Sequence, residues 1–356
     1  MSHDRTVVSC DEALRDPAGF ADVLDARSES EFADDHLPGA INVPVLHDAE
    51  RAEVGTLYKQ VSSFAARRRG AALVARNIAA IIESDLADRP RDWTALVYCW
   101  RGGQRSAALA LVLGRIGWNV RQLEGGYRAY RRRVLGDLSE LPQRFTYRVI
   151  CGTTGSGKSR LLQQLEAVGA QVLDLERLAH HRGSVLGGLP SLPQPSQKMF
   201  ETRIWSSLRV LRPDRPVFIE SESRKVGDLR VPDALVSAMR AAECIRVELP
   251  TTERVRLLRD EYVHLEQDPA QLLAQLSCLV SLHGHERVGE WKALAAAGRW
   301  DEMVERLLLE HYDPAYLRSI DRNFTRIGAA RVVTIERGEP LAFQAAARAL
   351  YADAVG

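Results

Sequence analysis

Phe145-Thr146-Tyr147-Arg148-Val149-Ile150-Cys151 runs directly into Gly152-Thr153-Thr154-Gly155-Ser156-Gly157-Lys158-Ser159, and this joint decides the fold of the second half of the chain. The first run predicts a buried strand and the second satisfies the phosphate-loop pattern, with a helix opening at its end. The chemistry needs that order. Glycines let the backbone wrap a diphosphate, Lys158 bridges its outer oxygens, and the Ser159 hydroxyl is placed to bind Mg²⁺. Phosphate binding follows from this pattern; the identity of the phosphate compound does not.

Working outward, further strands are expected at Gln171 to Leu173, Val217 to Ile219, Ile245 to Leu249 and Arg331 to Ile335, separated by helical patterns. Asp174 and Glu220 follow two of these strands. In an open α/β sheet the ligand crevice lies beyond the carboxyl ends of the strands, so both carboxylates are candidates for the second site, with helix capping as the alternative role for each. From Thr251 to about Asn323 the chain is helical in character, which predicts a helical insertion before the last strand. Towards the N-terminus, Ala21 to Leu24 and Thr94 to Tyr98 read as strands, and Gly70 to Ser84 and Ser106 to Ile116 as helices. The expected fold class is therefore α/β in both halves. The turn formers Gly136-Asp137-Leu138-Ser139-Glu140-Leu141-Pro142 divide them, giving domains over 1–138 and 145–356.

A second chemical centre lies in the N-terminal half. Thr94 to Tyr98 is followed by Cys99-Trp100-Arg101-Gly102-Gly103-Gln104-Arg105 and then a helix. A tight loop between strand and helix start turns backbone N–H groups and the positive end of the helix dipole towards the cysteine. Arg101 and Arg105 add positive charge, so Cys99 is a candidate nucleophile handling an anionic chalcogen or phosphorus donor.

Composition bounds the rest. Hydrophobic residues make up 46% of the 356 positions and charged residues 27%, as in an ordinary globular protein rather than a disordered or fibrous one. Five cysteines without paired spacing give neither a disulfide framework nor a metal cage. No apolar stretch approaches the roughly 20 residues of a membrane span, and the first residues lack an apolar leader core, so a cytoplasmic location is expected. The net charge of +1 does not announce a nucleic-acid binder. Local basic clusters at Arg131-Arg132-Arg133 and Arg224-Lys225 are nevertheless candidates for RNA phosphates.

Two resemblances add to this reading. Leu24 to Arg27, His36-Leu37-Pro38-Gly39-Ala40-Ile41-Asn42-Val43-Pro44, the Cys99 loop and Gly125-Gly126-Tyr127 resemble the rhodanese family over most of residues 5–135. The loop departs from it by one extra residue and has the Cys-x5-Arg spacing of related phosphatases. A rhodanese-like domain fused to a P-loop NTPase-like domain resembles the tRNA 2-selenouridine synthase family across essentially the whole chain. Asp174-Leu175-Glu176, His181-Arg182-Gly183-Ser184, Gln197 to Glu201, Glu220 to Gly227 and His311 to Tyr316 strengthen that likeness.

The resemblance implies replacement of sulfur by selenium in wobble 2-thiouridine of tRNA with selenophosphate as donor, by way of S-geranylation from geranyl diphosphate. It also implies an apolar groove, for which Phe200, Trp205 and Leu208 are candidate lining residues, with core packing as their other role. Whether Cys99 carries selenium covalently stays open at this stage. So do two other readings of the residues, a P-loop kinase or ATPase with a rhodanese-like regulatory domain and a Cys-x5-Arg phosphatase. A phosphate-binding adaptor with an inert thiol loop is the non-enzymatic alternative.

Overall fold

The computed structural model describes residues 6–184, 186–189 and 192–355. They form two compact units, one holding the chain up to Asp137 together with Glu201–Arg203, the other holding the remainder.

The first unit is built on a parallel sheet of strands β1 (Val7–Val8), β2 (Asp22–Asp25), β3 (Ala40–Asn42), β4 (Thr94–Tyr98) and β5 (Asn119–Leu123), in the order β1-β5-β4-β2-β3. β4 is central, and Ala95 to Tyr98 are all buried, as expected of a parallel strand covered on both faces. The helices Ser63–Glu83 and Gln104–Ile116 supply Ile78, Ile81, Leu109 and Leu113 to the core around Val97 and Trp93. Within this apolar interior sits one ion pair. Arg27 and Asp25 are 1% and 0% exposed and meet through contacts of 2.6 to 3.0 Å. The same guanidinium donates to the Asp35 carbonyl at 2.6 Å and lies 4.1 Å from the Tyr127 ring centroid. Its donors are satisfied on several sides, the condition under which a buried pair is tolerated.

The second unit carries β6 (Tyr147–Cys151), β7 (Gln171–Leu173), β8 (Val217–Glu220), the short antiparallel pair β9 (Lys225–Val226) and β10 (Leu229–Arg230), β11 (Glu243–Glu248) and β12 (Arg331–Thr334). Its parallel sheet has the order β12-β11-β6-β8-β7. β6 is therefore the switch point where successive connections part to either side, the place where such sheets bind ligands. Between β11 and β12 lie the expected helices, from Thr251–Glu261 through Asp313–Asn323, with a π turn at Leu308–Tyr312. They have their own core of Leu272, Leu276, Trp291, Met303 and Leu307. Both halves are thus α/β, as the sequence predicts. Among the described residues no helix is long and apolar enough to cross a membrane.

The expected turn at 136–142 is not a turn. The helix Gly126–Glu140 runs through Gly136 and Asp137, and a 3-10 turn follows at Leu141–Arg144. Val134 and Leu138, one helical turn apart, are 0% and 4% exposed. Burial of that face outweighs the modest cost of one helical glycine, about 1 kcal/mol.

Removing one partner of the buried pair strands the other charge. Asp25→Ala is expected to cost the first unit about 3–5 kcal/mol. The measurement is hydrogen exchange of the β4 amides, which should lose protection while the β6 amides keep theirs.

Candidate functional site

The thiol site starts from β4. Cys99 is the first residue beyond it and is 2% exposed. Its Sγ accepts the Gly103 N–H at 3.3 Å and the Ser106 hydroxyl at 3.1 Å, with Gln122 Nε2 donating to that hydroxyl at 2.8 Å. The expected orientation of amide hydrogen towards sulfur at a helix start is present. The loop is clamped by the turn after β5: Tyr127 N donates to the Cys99 carbonyl at 2.8 Å and Arg128 N to that of Trp100 at 3.1 Å. Gly126, at φ +54°, makes this possible, since a Cβ there would collide with the Cys99 carbonyl oxygen and the Gly102 nitrogen.

The two loop arginines part company. Arg101 is exposed, whereas Arg105 forks onto Glu31 with contacts of 2.8 and 3.4 Å. Burial alone would raise the Glu31 carboxyl, but hydrogen bonding and charge from Arg105 hold it below the usual carboxylate range. The donors a Cys-x5-Arg phosphatase needs for its phosphate are therefore committed to a carboxylate. Beside the loop is a cavity of about 330 Å³ bordered by Ser30, Glu31, Asp34, Arg51, Trp100 and Arg105. Trp100 stacks on Tyr127 at a centroid distance of 5.3 Å, which fixes one wall.

The phosphate site starts from β6. Gly152 to Ser159 leave the strand, and Gly157, at φ +82°, caps the helix Lys158–Ala167. Its α-hydrogens face the Phe343 ring so closely that a Cβ would enter it. Thr153 to Gly155 and Lys158 to Ser159 are half-buried and Ser156 is buried. Lys158 Nζ donates to the Gly152 carbonyl at 2.8 Å and lies 5.5 Å from the Tyr316 ring centroid. The Ser159 hydroxyl donates to Glu176 at 2.8 Å.

Asp174 and Glu220 take the capping role that the sequence left open for each. Asp174 accepts the Arg177 N–H at 2.8 Å and caps the helix Leu175–Ala179, and Glu220 accepts the Glu176 N–H at 2.7 Å. Both bind backbone at a helix start. The side chain that reaches Ser159 is Glu176, which sequence reasoning passed over, and Glu222 lies close enough to it for the two charges to repel. Burial, then the neighbouring carboxylates, pushes Glu220 and Glu222 well above the usual range, so part of this cluster is neutral near pH 7. Among the described residues no three His, Cys, Asp or Glu side chains form a metal cage. The hard oxygens of Ser159 and Glu176 do suit Mg²⁺, which keeps most of its water shell.

The helical insertion also holds the loop. Arg254, 5% exposed, donates to the Thr154 carbonyl at 2.8 and 2.9 Å and to Asp313 at 2.6 and 2.9 Å. The Tyr316 hydroxyl accepts the Gly152 N–H at 2.7 Å and lies 3.0 Å from Ser221 Oγ. These residues were also missed, although the i, i+3 spacing of Asp313 and Tyr316 marks one helix face. All border or adjoin a cleft of about 820 Å³ whose walls include Lys158, Ser159, Glu176, Glu222, His311 and Tyr316.

Of the basic candidates, Arg132, Arg224 and Lys225 are exposed. Arg131 is largely buried 3.8 Å from Asp35, and Arg133 pairs with Asp137 at 2.8 Å and with Asp11. Those two are engaged within the protein. Phe200, Trp205 and Leu208 are at most 1% exposed and belong to packing, so the apolar groove is not theirs.

Comparison with known proteins fits this geometry. Residues 9–133 match the model of the rhodanese-like domain, and residues 145–279 match the tRNA 2-selenouridine synthase AAA domain. A tRNA 2-selenouridine synthase of Aeromonas salmonicida is 31% identical, the alignment covering 86% of this chain and 89% of the relative. One of Shewanella sediminis is 32% identical over the same shares. One of Nitrosomonas europaea reaches 37% over 68% of this chain, but the chain spans only 63% of that relative's length.

The two carboxylate roles separate experimentally. Asp174→Ala removes a helix cap and is expected to cost about 1 kcal/mol of stability while leaving inorganic diphosphate binding unchanged. Glu176→Ala is expected to weaken Mg²⁺-dependent diphosphate binding about tenfold or more, as loss of a supporting ligand does at metal sites. Calorimetric titration of both variants with and without Mg²⁺ is the check.

Proposed function

The chain belongs to the tRNA 2-selenouridine synthase family, and from that premise we propose that it is a tRNA-modifying transferase that replaces sulfur by selenium in wobble 2-thiouridine. The selenium donor is selenophosphate, and the route passes through S-geranylation by geranyl diphosphate. The observation that carries this reading is the presence in one chain of two separately built anion sites, a thiol ringed by an amide and a hydroxyl and a phosphate loop fixed by Arg254 and Tyr316.

In the first step the thiouridine sulfur attacks C1 of the geranyl group. The C–O bond breaks and the diphosphate departs with its electron pair, while the base loses its N3 proton. Lys158 and the loop amides stabilise the charge that develops on the leaving oxygens. Ser159 and Glu176 would hold Mg²⁺, which supplies further neutralising charge there when bound. In the second step the selenium of selenophosphate adds at C2 of the base and geranyl thiolate leaves, taking up a proton; water then breaks the P–Se bond, so that orthophosphate departs, the selenium stays on the base and N3 regains its proton. Alkylation makes this exchange feasible, because an alkylated sulfur departs as a thiolate instead of a bare sulfide. The Cys99 loop supports binding of selenophosphate, with Arg101 exposed at its rim and the Gly103 amide within it. The tRNA meets exposed cations, Arg132, Arg224 and Lys225 among them. Action on tRNA supports a cytoplasmic location.

The fork of Arg105 on Glu31 weighs against the phosphatase alternative, since that guanidinium is already paired. The kinase reading is separated by assay. A thiolated anticodon stem-loop is incubated with protein and both donors, and the nucleosides are resolved by mass spectrometry. Cys99→Ala is expected to abolish 2-selenouridine and let S-geranyl-2-thiouridine accumulate. Lys158→Ala is expected to slow geranylation by about 10²–10³-fold, the usual cost of losing one donor to a developing anion. An unmodified stem-loop with the wild-type protein, or ATP turnover that follows Lys158 instead, rejects the proposal.

A further inference from the structure

Between the helical insertion and the phosphate loop lies a second, smaller and partly open cavity of about 60 Å³, lined chiefly by Leu265, Leu272, Trp300, Met303 and Leu307. Most of its wall is apolar. The charged groups at its edge, Arg259 and Glu266, are paired with each other at 2.8 Å and leave no unmatched charge facing inward. Thr154, Leu258, Tyr262 and Tyr312 line both this cavity and the large cleft, so the two adjoin at those residues. Thr154 belongs to the phosphate loop itself. Its carbonyl is the one gripped by Arg254, so the register between loop and cavity is fixed by a buried ion pair.

We infer that this cavity seats the far end of the apolar chain of the diphosphate donor, with Leu258, Tyr262 and Tyr312 forming its mouth. The inference rests on the geranyl diphosphate reading and adds the place where the chain goes. A ligand with a diphosphate head and a hydrocarbon tail has to satisfy two opposite demands within a few bonds of each other. Amide and ammonium donors must meet the head, and a dry surface must meet the tail. The phosphate loop and this cavity share a wall and offer those two surfaces side by side. Protein cores are otherwise packed nearly without voids larger than a water molecule, which makes an apolar hollow against a ligand loop informative. The helices that line it lie between β11 and β12, so the insertion both props the loop and supplies the apolar surface. Met303 and Leu307, one helical turn apart on Trp300–Leu307, are 4% and 3% exposed and govern how deep a chain can reach.

The full-length protein is titrated with geranyl diphosphate, farnesyl diphosphate and inorganic diphosphate. The wild type is expected to hold geranyl diphosphate about tenfold or more tighter than inorganic diphosphate, through burial of hydrocarbon. Met303→Trp fills the cavity and is expected to shrink that advantage to about twofold or less, with inorganic diphosphate bound as before to show that the loop is intact. Met303→Ala deepens it and should shift preference from the geranyl towards the longer farnesyl chain; this variant decides alone if Met303→Trp loses diphosphate binding altogether. A wild-type advantage that survives Met303→Trp, or a chain preference unmoved by Met303→Ala, overturns the pocket and leaves the donor reading standing. No advantage in the wild type removes the donor reading and the pocket with it.

Discussion

One buried guanidinium sets the geometry on which the second unit depends. Arg254 spends its donors on the Thr154 carbonyl and the Asp313 carboxylate, at 2.6 to 2.9 Å. A phosphate loop works only if its amides converge, and a loop of small residues has little side-chain packing of its own to hold that curve. Here the hold comes from the insertion. Arg254 grips the loop at one point, and Tyr316, from the same helix as Asp313, receives the Gly152 amide at another. The helices after β11 are therefore a structural part of the anion site as well as a cover for it.

The thiol site solves the same problem differently. Its loop is braced by backbone: the turn after β5 lies so close to the Cys99 carbonyl that only glycine fits at position 126. Charge is used sparingly. Arg105 is neutralised by Glu31, and the sulfur is met by one amide and one hydroxyl. Such a setting orients a thiol without surrounding it with full cations. It suits a reagent whose own anion brings the charge, with exposed Arg101 at the rim to receive it.

Much of this was legible from the chain because local rules determine it. Strand β4 was placed at Thr94–Tyr98 and β7 at Gln171–Leu173 as the structure has them, since a short apolar run bounded by turn residues has few other solutions. The phosphate loop was legible because glycine spacing and lysine position are themselves the mechanism. What escaped was non-local. Glu176 reaches Ser159 from 17 residues away, and Arg254 reaches Thr154 from 100. For Asp174 and Glu220, each at a strand end, the sequence leaves ligand binding and helix capping both open; only the packing decides, and the short helix at Leu175–Ala179 takes both. At Gly136 the local signal was overruled by burial of Val134 and Leu138.

The carboxylates beside the phosphate loop follow from the same physics. A diphosphate is strongly anionic, and Asp174, Glu176, Glu220 and Glu222 would repel it if all were ionised. Burial prevents that. Glu222 lies beside Glu176, where burial and their mutual repulsion favour its protonated form, and Glu220 is too deeply buried to ionise readily. The remaining charge is offset by Lys158 near them. The acidic wall can then order Ser159 and the helix after β7 without cancelling the attraction of the loop for its ligand. Desolvation, which would be a cost for isolated carboxylates, is what makes these compatible with an anion site.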